Sequence, residues 1–428
     1  MNPSKLVLDS MGSTPHTPRF APRLARMRVL FAIIISITTS TALAQEAAPA
    51  ISVSDTREIN ASQIGLITPD QAGFSDALWK DISATEYTAL LHGVARGIPS
   101  ASIRNLATRA LVSNATLPDS KEDLLSERVD ALLRLGQASY AQKLLVEIPK
   151  PSRKSSTLEK LFLFNVISGA SDASICKTAS SHLGKKASPL WQRWVVLCQA
   201  KTGETDKAQL GLDLLSEQNE YSEFYHKVAQ GLITKKPATT LPEAVYLEQA
   251  AWLIFAGQSD YLKKQKQPPL ALVALMPDVW PEMAKRYGLP QATLGVPAEQ
   301  SYAPDESYLT LPEKNATDAD YRIAFLAYGL RKALGKPTTQ AQDAALQTAS
   351  FRAEQIVTSP SWRVALSSAA NAGKSGEVIL LLAGIFTAPL NDYAPSDIVT
   401  AVSALRKCGL TADADALAGE ALAAALAK

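Results

Sequence analysis

Residues 131–149 read ALLRLGQASYAQKLLVEIP, and this stretch decides the fold. Just upstream, Ser120 stands where a helix N-cap is needed, with a hydroxyl to accept the first free N–H groups. Leu125, Val129, Leu132 and Leu133 then recur at helical intervals and share one apolar face. Gly136 closes that helix, because glycine enters the left-handed region without the steric penalty of a Cβ. Ala141, Leu144 and Leu145 line a second apolar face, and Pro149, which has no N–H to donate, ends it. The product is one helical hairpin.

The closing glycine recurs along the chain. Gly97, Gly136, Gly169 and Gly203 are 39, 33 and 34 residues apart, and Gly335, Gly373 and Gly409 are 38 and 36 apart. Five positions after Gly136, Gly203 and Gly409 stands an alanine (Ala141, Ala208, Ala414), and Gly257 and Gly373 repeat the spacing with Leu262 and Val378. Glycine ends one helix and a compact apolar residue lets the next cross it closely. From about Asp76 onward nearly every segment has this amphipathic helical character. No run alternates apolar and polar residues long enough to make a strand, so the expected class is all-α. A period of 33–39 residues is that of stacked helix pairs.

Two segments, Ala131–Pro149 and Ala200–Leu215 (AKTGETDKAQLGLDLL), resemble tetratricopeptide-type repeats in their helix–Gly–helix–Ala core. They lack that family's repeated tryptophan and second alanine, and Pro149 arrives several positions early, so the resemblance is to the wider α-solenoid superfamily. It implies a right-handed solenoid of stacked antiparallel hairpins. Between residues 263 and 316 eight prolines, from Pro268 to Pro312, forbid long helices, although Leu270–Met276 and Val279-Trp280 are apolar enough to pack. The expected organisation is therefore a flexible leader over 45–75, an N-terminal solenoid over 76–262, an irregular Pro-rich junction over 263–316 and a C-terminal helical block over 317–428.

Residues 1–44 read as a signal peptide. Arg19, Arg23, Arg26 and Arg28 form a basic leader, Val29–Ile37 is apolar, and Ala42-Leu43-Ala44 supplies a small–x–small cleavage site before Gln45. Met27 offers a second start that would make this signal compact. The apolar run is far shorter than the roughly 20 residues that span a bilayer as a helix, and so is Val378–Phe386. Export to an oxidising compartment, the bacterial periplasm, is expected, with no transmembrane anchor in the mature chain. Removal of residues 1–44 takes five cations and one carboxylate from totals of 43 and 41, leaving 38 against 40 and a net charge of −2. Nucleic-acid binding has no electrostatic support in that balance.

Three cysteines remain, Cys176, Cys198 and Cys408. With Asp172 as a helix N-cap, Gly184 as that helix's stop and Ser188-Pro189 opening the next helix, the hairpin turns near Lys186. Cys176 then lies ten residues before the turn and Cys198 twelve after it. At about 1.5 Å of rise per residue the two heights differ by about 3 Å. A Cys176–Cys198 disulfide is expected, with Cys408 left over and packed.

Motifs that would carry chemistry are missing or incomplete. His92, His182 and His226 have no ligand partner at metal spacing. Gly329 to Lys336 has one residue too many for a P-loop, and Pro337 stands where a magnesium-binding hydroxyl belongs. Glu306-Ser307-Tyr308 is similar to the glutamate motif of soluble lytic transglycosylases, but the Gly-Leu-Met-Gln segment that follows there is absent. Aromatic pairs such as Trp191/Trp194 fall at core spacing. No catalytic residue, metal or cofactor is expected. The sequence implies a non-enzymatic helical scaffold or assembly factor that engages periplasmic or envelope proteins. A cell-wall-acting enzyme, or a degenerate relative of one, is the alternative, and a structural part of a secretion or motility apparatus is a third reading.

Overall fold

The computed structural model describes residues 63–427 apart from 121–122, 185–186, 219, 221, 238–240, 242–245, 288, 290–291, 299–311, 313–315 and 349–355. The signal segment 1–44, its Ala44/Gln45 cleavage point and Glu306 lie outside the described residues. Helices follow one another from the start: α1 (Ala84–Gly93), α2 (Ala101–Val112), α3 (Leu124–Arg134), α4 (Ala138–Glu147), α5 (Ser155–Ile167) and α6 (Asp172–Ser181). Next come α7 (Pro189–Thr202), α8 (Thr205–Glu217), α9 (Glu223–Thr234), α10 (Leu247–Phe255) and α11 (Ser259–Lys263). Among the described residues of the proline-rich segment the helices are short: α12 (Leu270–Leu275) and α13 (Pro281–Arg286). The chain closes with α14 (Asp318–Ala333), α15 (Gln340–Thr348), α16 (Pro360–Asn371), α17 (Ser375–Ile385), α18 (Pro395–Lys407) and α19 (Thr411–Leu426). Among the described residues extended pairing is confined to two isolated bridges, Ile67–Ser113 and Ile356–Tyr393. The fold is all-α.

One turn closes helices at seven glycines among the described residues, Gly169 and Gly335 included, and at five of them it leads straight into the next helix. Gly136, Gly203, Gly257, Gly373 and Gly409 all have φ between 69° and 85°. At the first of them, Gly136 N–H donates to Leu133 O (3.0 Å) and Gln137 N–H to Leu132 O (2.8 Å). Gly203 N–H donates to Ala200 O (3.2 Å), while Glu204 N–H reaches Gln199 O (2.8 Å). These paired bonds satisfy carbonyls that a helix end otherwise leaves bare. The following helix begins two residues later in each of these five. The fifth residue after each glycine (Ala141, Ala208, Leu262, Val378, Ala414) is 0 % exposed. The turn therefore joins α3/α4, α7/α8, α10/α11, α16/α17 and α18/α19 into packed pairs.

Local details differ from the sequence reading. Asp123, not Ser120, caps α3: its carboxylate accepts the Ser126 N–H at 3.3 Å. Ser171 caps α6 in place of Asp172, and that helix stops at Ser181, short of Gly184. Gly97 does not end a helix; it lies four residues beyond α1, and its N–H donates to Arg134 O at 3.0 Å. The leader expected over 45–75 also ends sooner. Ile64, Ala72 and Phe74 are buried, Leu66 N–H donates to Val112 O (2.7 Å), and Asn114 N–H donates to Ile67 O (2.9 Å).

Two apolar cores result. One gathers residues 64–148 together with 326–421; the other is built from residues 162–284. In the first, α17 meets α1, α2, α16 and α18. That explains its continuous apolar sequence, since a helix covered on every side has no face for polar residues. No helix of the described residues is long and apolar enough to cross a membrane. Gly376 and Gly384 give α17 its closest approaches: a Cβ on them would lie 2.5 Å from Leu78 O and 2.9 Å from Gly93 O.

Helix α2 carries charge through this core. Arg109 is 0 % exposed; it pairs with the buried Asp413 of α19 and donates to Ala72 O. Burial holds the Arg109 guanidinium below its ordinary pKa, opposed by the Asp413 charge. At the N-terminus of α2, Glu420 of α19 accepts from Ala101 N–H (2.8 Å), Ser102 N–H (2.8 Å) and the Ser100 hydroxyl (2.9 Å). At its C-terminus the buried Arg128 donates to Leu111 O (3.0 Å from Nε) and Ser113 O (2.8 Å). A carboxylate at the positive end and a guanidinium at the negative end both match the helix dipole. Asp413→Ala leaves Arg109 buried without its counter-charge, so unfolding free energy should fall by about 3–5 kcal/mol. Arg109→Met with Asp413→Leu should recover most of that loss. Urea unfolding of both variants checks it, and equal losses would show that the pair does not make the link.

Candidate functional site

A cleft of about 780 Å³ opens where the proline-rich segment passes the first hairpin. Its walls are the last turn of α3 (Asp130, Leu133, Arg134), Arg96 from the loop after α1, and Tyr246-Leu247 at the start of α10. The opposite side is Lys266–Ala271 with Met283, Arg286 and Tyr287 of α13 and its C-cap.

Each wall is fixed by local chemistry. Pro269 cannot donate an N–H and holds an extended conformation (φ −56°, ψ 135°) ahead of α12. The junction is seated on two turn glycines of the first core. A Cβ on Gly97 would stand 2.3 Å from Leu270 Cδ1 and 2.9 Å from Tyr287 Cε1; one on Gly136 would stand 2.8 Å from Leu289 Cδ2. Further on, Ala292 N–H donates to Gln137 Oε1 (2.9 Å) and its carbonyl accepts from the Tyr140 hydroxyl (2.8 Å). The backbone around Arg96 is pinned on both sides: Ala95 N–H donates to Ala383 O (3.1 Å) and Gly97 N–H to Arg134 O (3.0 Å).

The cleft is cationic. Arg96, Lys266 and Arg286 are exposed and form no ion pair among the described residues. Arg134 is half-buried, donates from Nη2 to Leu91 O, and keeps its Nε buried without a partner. Burial holds this guanidinium below its usual value; Asp130 and Glu127 work against that, and the like charge of Arg96 adds to it. The one carboxylate among the described lining residues, Asp130, is already paired with Lys160 at 2.8 Å. Half-buried Leu133, Leu247, Leu270 and Met283 supply apolar surface between the charges, and Tyr246 is 65 % exposed at the rim. Among the described residues the lining contains no histidine, cysteine, serine, threonine or glutamate and a single carboxylate.

Elsewhere the residues weighed in the sequence have structural places. Cys176 of α6 and Cys198 of α7 meet with Sγ–Sγ 2.03 Å and Cα–Cα 5.5 Å, as the matched hairpin heights require. Cys408 is half-buried, and burial raises its thiol pKa. His182 stacks on Trp191 and bonds Thr178 O through Nδ1 (2.9 Å), and His92 Nε2 bonds Glu127 (2.8 Å). Gly329–Ala333 is helical, with Gly329 packed on Val399, and so does not form a phosphate-cradling loop. Trp191 and Trp194 pack edge-on against Phe162 in the second core. Among the described residues no group of His, Cys, Asp or Glu is placed to hold a metal ion. The cleft cations escaped the sequence reading because they come from positions as distant as 96 and 286, and exposed basic residues carry no spacing signal.

Searches against protein-family models, curated proteins and solved structures find no match to this chain.

Alkylation of the unfolded, unreduced chain should label Cys408 alone, and reduction should open two further sites by intact mass. Cys198→Ser should cost about 3 kcal/mol of stability, as expected for a loop of this size. Labelling of all three cysteines before reduction would contradict the pairing.

Proposed function

We propose that this chain is an exported, non-enzymatic scaffold or assembly factor of a bacterial envelope, which holds a partner protein in the cleft between its first hairpin and its proline-rich junction. The observation that carries this reading is the lining itself: among the described residues, three cations without an ion pair over an apolar floor, with the single carboxylate already paired. An acid–base enzyme needs the opposite, a convergent site with a buried carboxylate of raised pKa.

The finer architecture belongs to this proposal. The five glycine-closed pairs support a right-handed, tetratricopeptide-like arrangement on either side of residues 263–316. Such pairs expose grooves that bind extended partners without catalytic groups. The basic leader, the Ala44/Gln45 cleavage site and the disulfide-distance cysteine pair support an oxidising, periplasmic location.

Affinity capture of the processed protein from envelope extracts, run beside a peptidoglycan-digestion assay, separates the two classes. The expected outcome is a reproducible protein partner and no digestion. Digestion with no partner captured would sink the scaffold reading in favour of a cell-wall enzyme.

A further inference from the structure

We infer that the cleft takes an acidic, extended peptide segment of the partner, with carboxylates against Arg96, Lys266 and Arg286 and apolar side chains on Leu133, Leu247 and Met283. This rests on the scaffold reading above and names the chemistry of what the scaffold holds.

Three features of the cleft converge on that occupant. The first is charge. Arg96, Lys266 and Arg286 have no counter-ion among the described residues, and Arg96 adds like charge beside Arg134. An incoming carboxylate supplies the missing counter-charge, and guanidinium groups bind carboxylates in paired, planar geometry. The second is the floor. Leu133, Leu247 and Met283 are half-buried between the cations, so they reward an occupant that alternates charged with apolar groups. A polyphosphate has nothing to place there. A lipid surface does not fit either, because these side chains line a concavity and do not project from the molecule. The third is the edge. Lys266, Gln267, Pro268 and Pro269 run without helix along one wall, with bends at Lys266 and Gln267 and an extended Pro269, so this wall presents side chains and carbonyls to an occupant. Tyr246, 65 % exposed at the mouth, adds an aromatic face for a side chain or peptide plane.

The test uses the full chain and a fluorescein-labelled peptide of roughly a dozen residues alternating glutamate and leucine, read by anisotropy. Reversing the exposed cations (Arg96→Glu, Lys266→Glu, Arg286→Glu) should weaken binding by about tenfold or more at low salt, with an unchanged unfolding midpoint. Raising salt to about 0.5 M should weaken the wild-type complex in the same direction. A glutamate–serine peptide of equal charge should bind about tenfold more weakly, because it leaves the floor unused. Equal binding by the reversed variant overturns the inference. So does tighter binding of inorganic polyphosphate or of phosphatidylglycerol vesicles than of the peptide. If wild type and reversed variant capture the same envelope partner equally well, the cleft assignment fails while the scaffold reading stands. Capture of no partner by either removes the scaffold reading itself.

Discussion

The structure depends on α2 being held from outside itself at three heights. Glu420 takes its N-terminus, Asp413 pairs with Arg109 in its middle, and Arg128 takes its C-terminus. Two of these partners come from α19, more than 300 residues away in sequence. An apolar contact between α2 and α19 would tolerate sliding by a turn. A buried ion pair does not, because moving either partner strands a charge in the core. The clamp thus sets the register of the last helix on the second, and α17 fills the space between the N-terminal helices and the C-terminal pairs.

The cleft inherits its geometry from that clamp. Arg96 lies just before the Glu420-capped start of α2, and Arg134 lies one and a half turns beyond Arg128 on α3. Backbone hydrogen bonds from Ala95 to α17 and from Gly97 to the end of α3 carry the register into the loop. Gly97 and Gly136 then leave room for Leu270, Tyr287 and Leu289, so the junction docks against backbone where any side chain would collide. Prolines that forbid long helices in residues 263–316 become useful here. They leave an edge with a fixed course and little internal freedom to lose on binding.

Sequence periodicity foretold some of this and was blind to the rest for a physical reason. The glycine turn is local: its two hydrogen bonds, its left-handed residue and the buried fifth position all lie within one short stretch. Gly136 with Ala141 and Gly203 with Ala208 could therefore be read directly. Cys176 and Cys198 were legible because a hairpin turns sequence distance into height. Asp413 was not: it stands in an alanine-rich helix whose charges look solvated, and nothing near it in sequence points to Arg109. Local competition also moved the caps. Asp123 outcompetes Ser120 because it sits directly before the first helical turn, where its carboxylate reaches the Ser126 N–H.

A molecule that pairs the Arg109 charge of α2 in its core leaves three cations without an ion pair around one cleft, among the described residues. Within the core Arg104, Arg109 and Arg128 are buried and each donates to at least one acceptor, although Nε of Arg104 and of Arg109 has none. At the cleft Arg96 stands beside Arg134 with Asp130 already engaged by Lys160. At Arg134 the charges of Asp130 and Glu127 offset that of Arg96, so the cations left for a ligand are the exposed Arg96, Lys266 and Arg286. Binding an anionic partner therefore answers charge at the site and leaves the clamp as it is. Occupancy stabilises the folded chain by mass action alone, and that contribution weakens as salt screens the cleft cations.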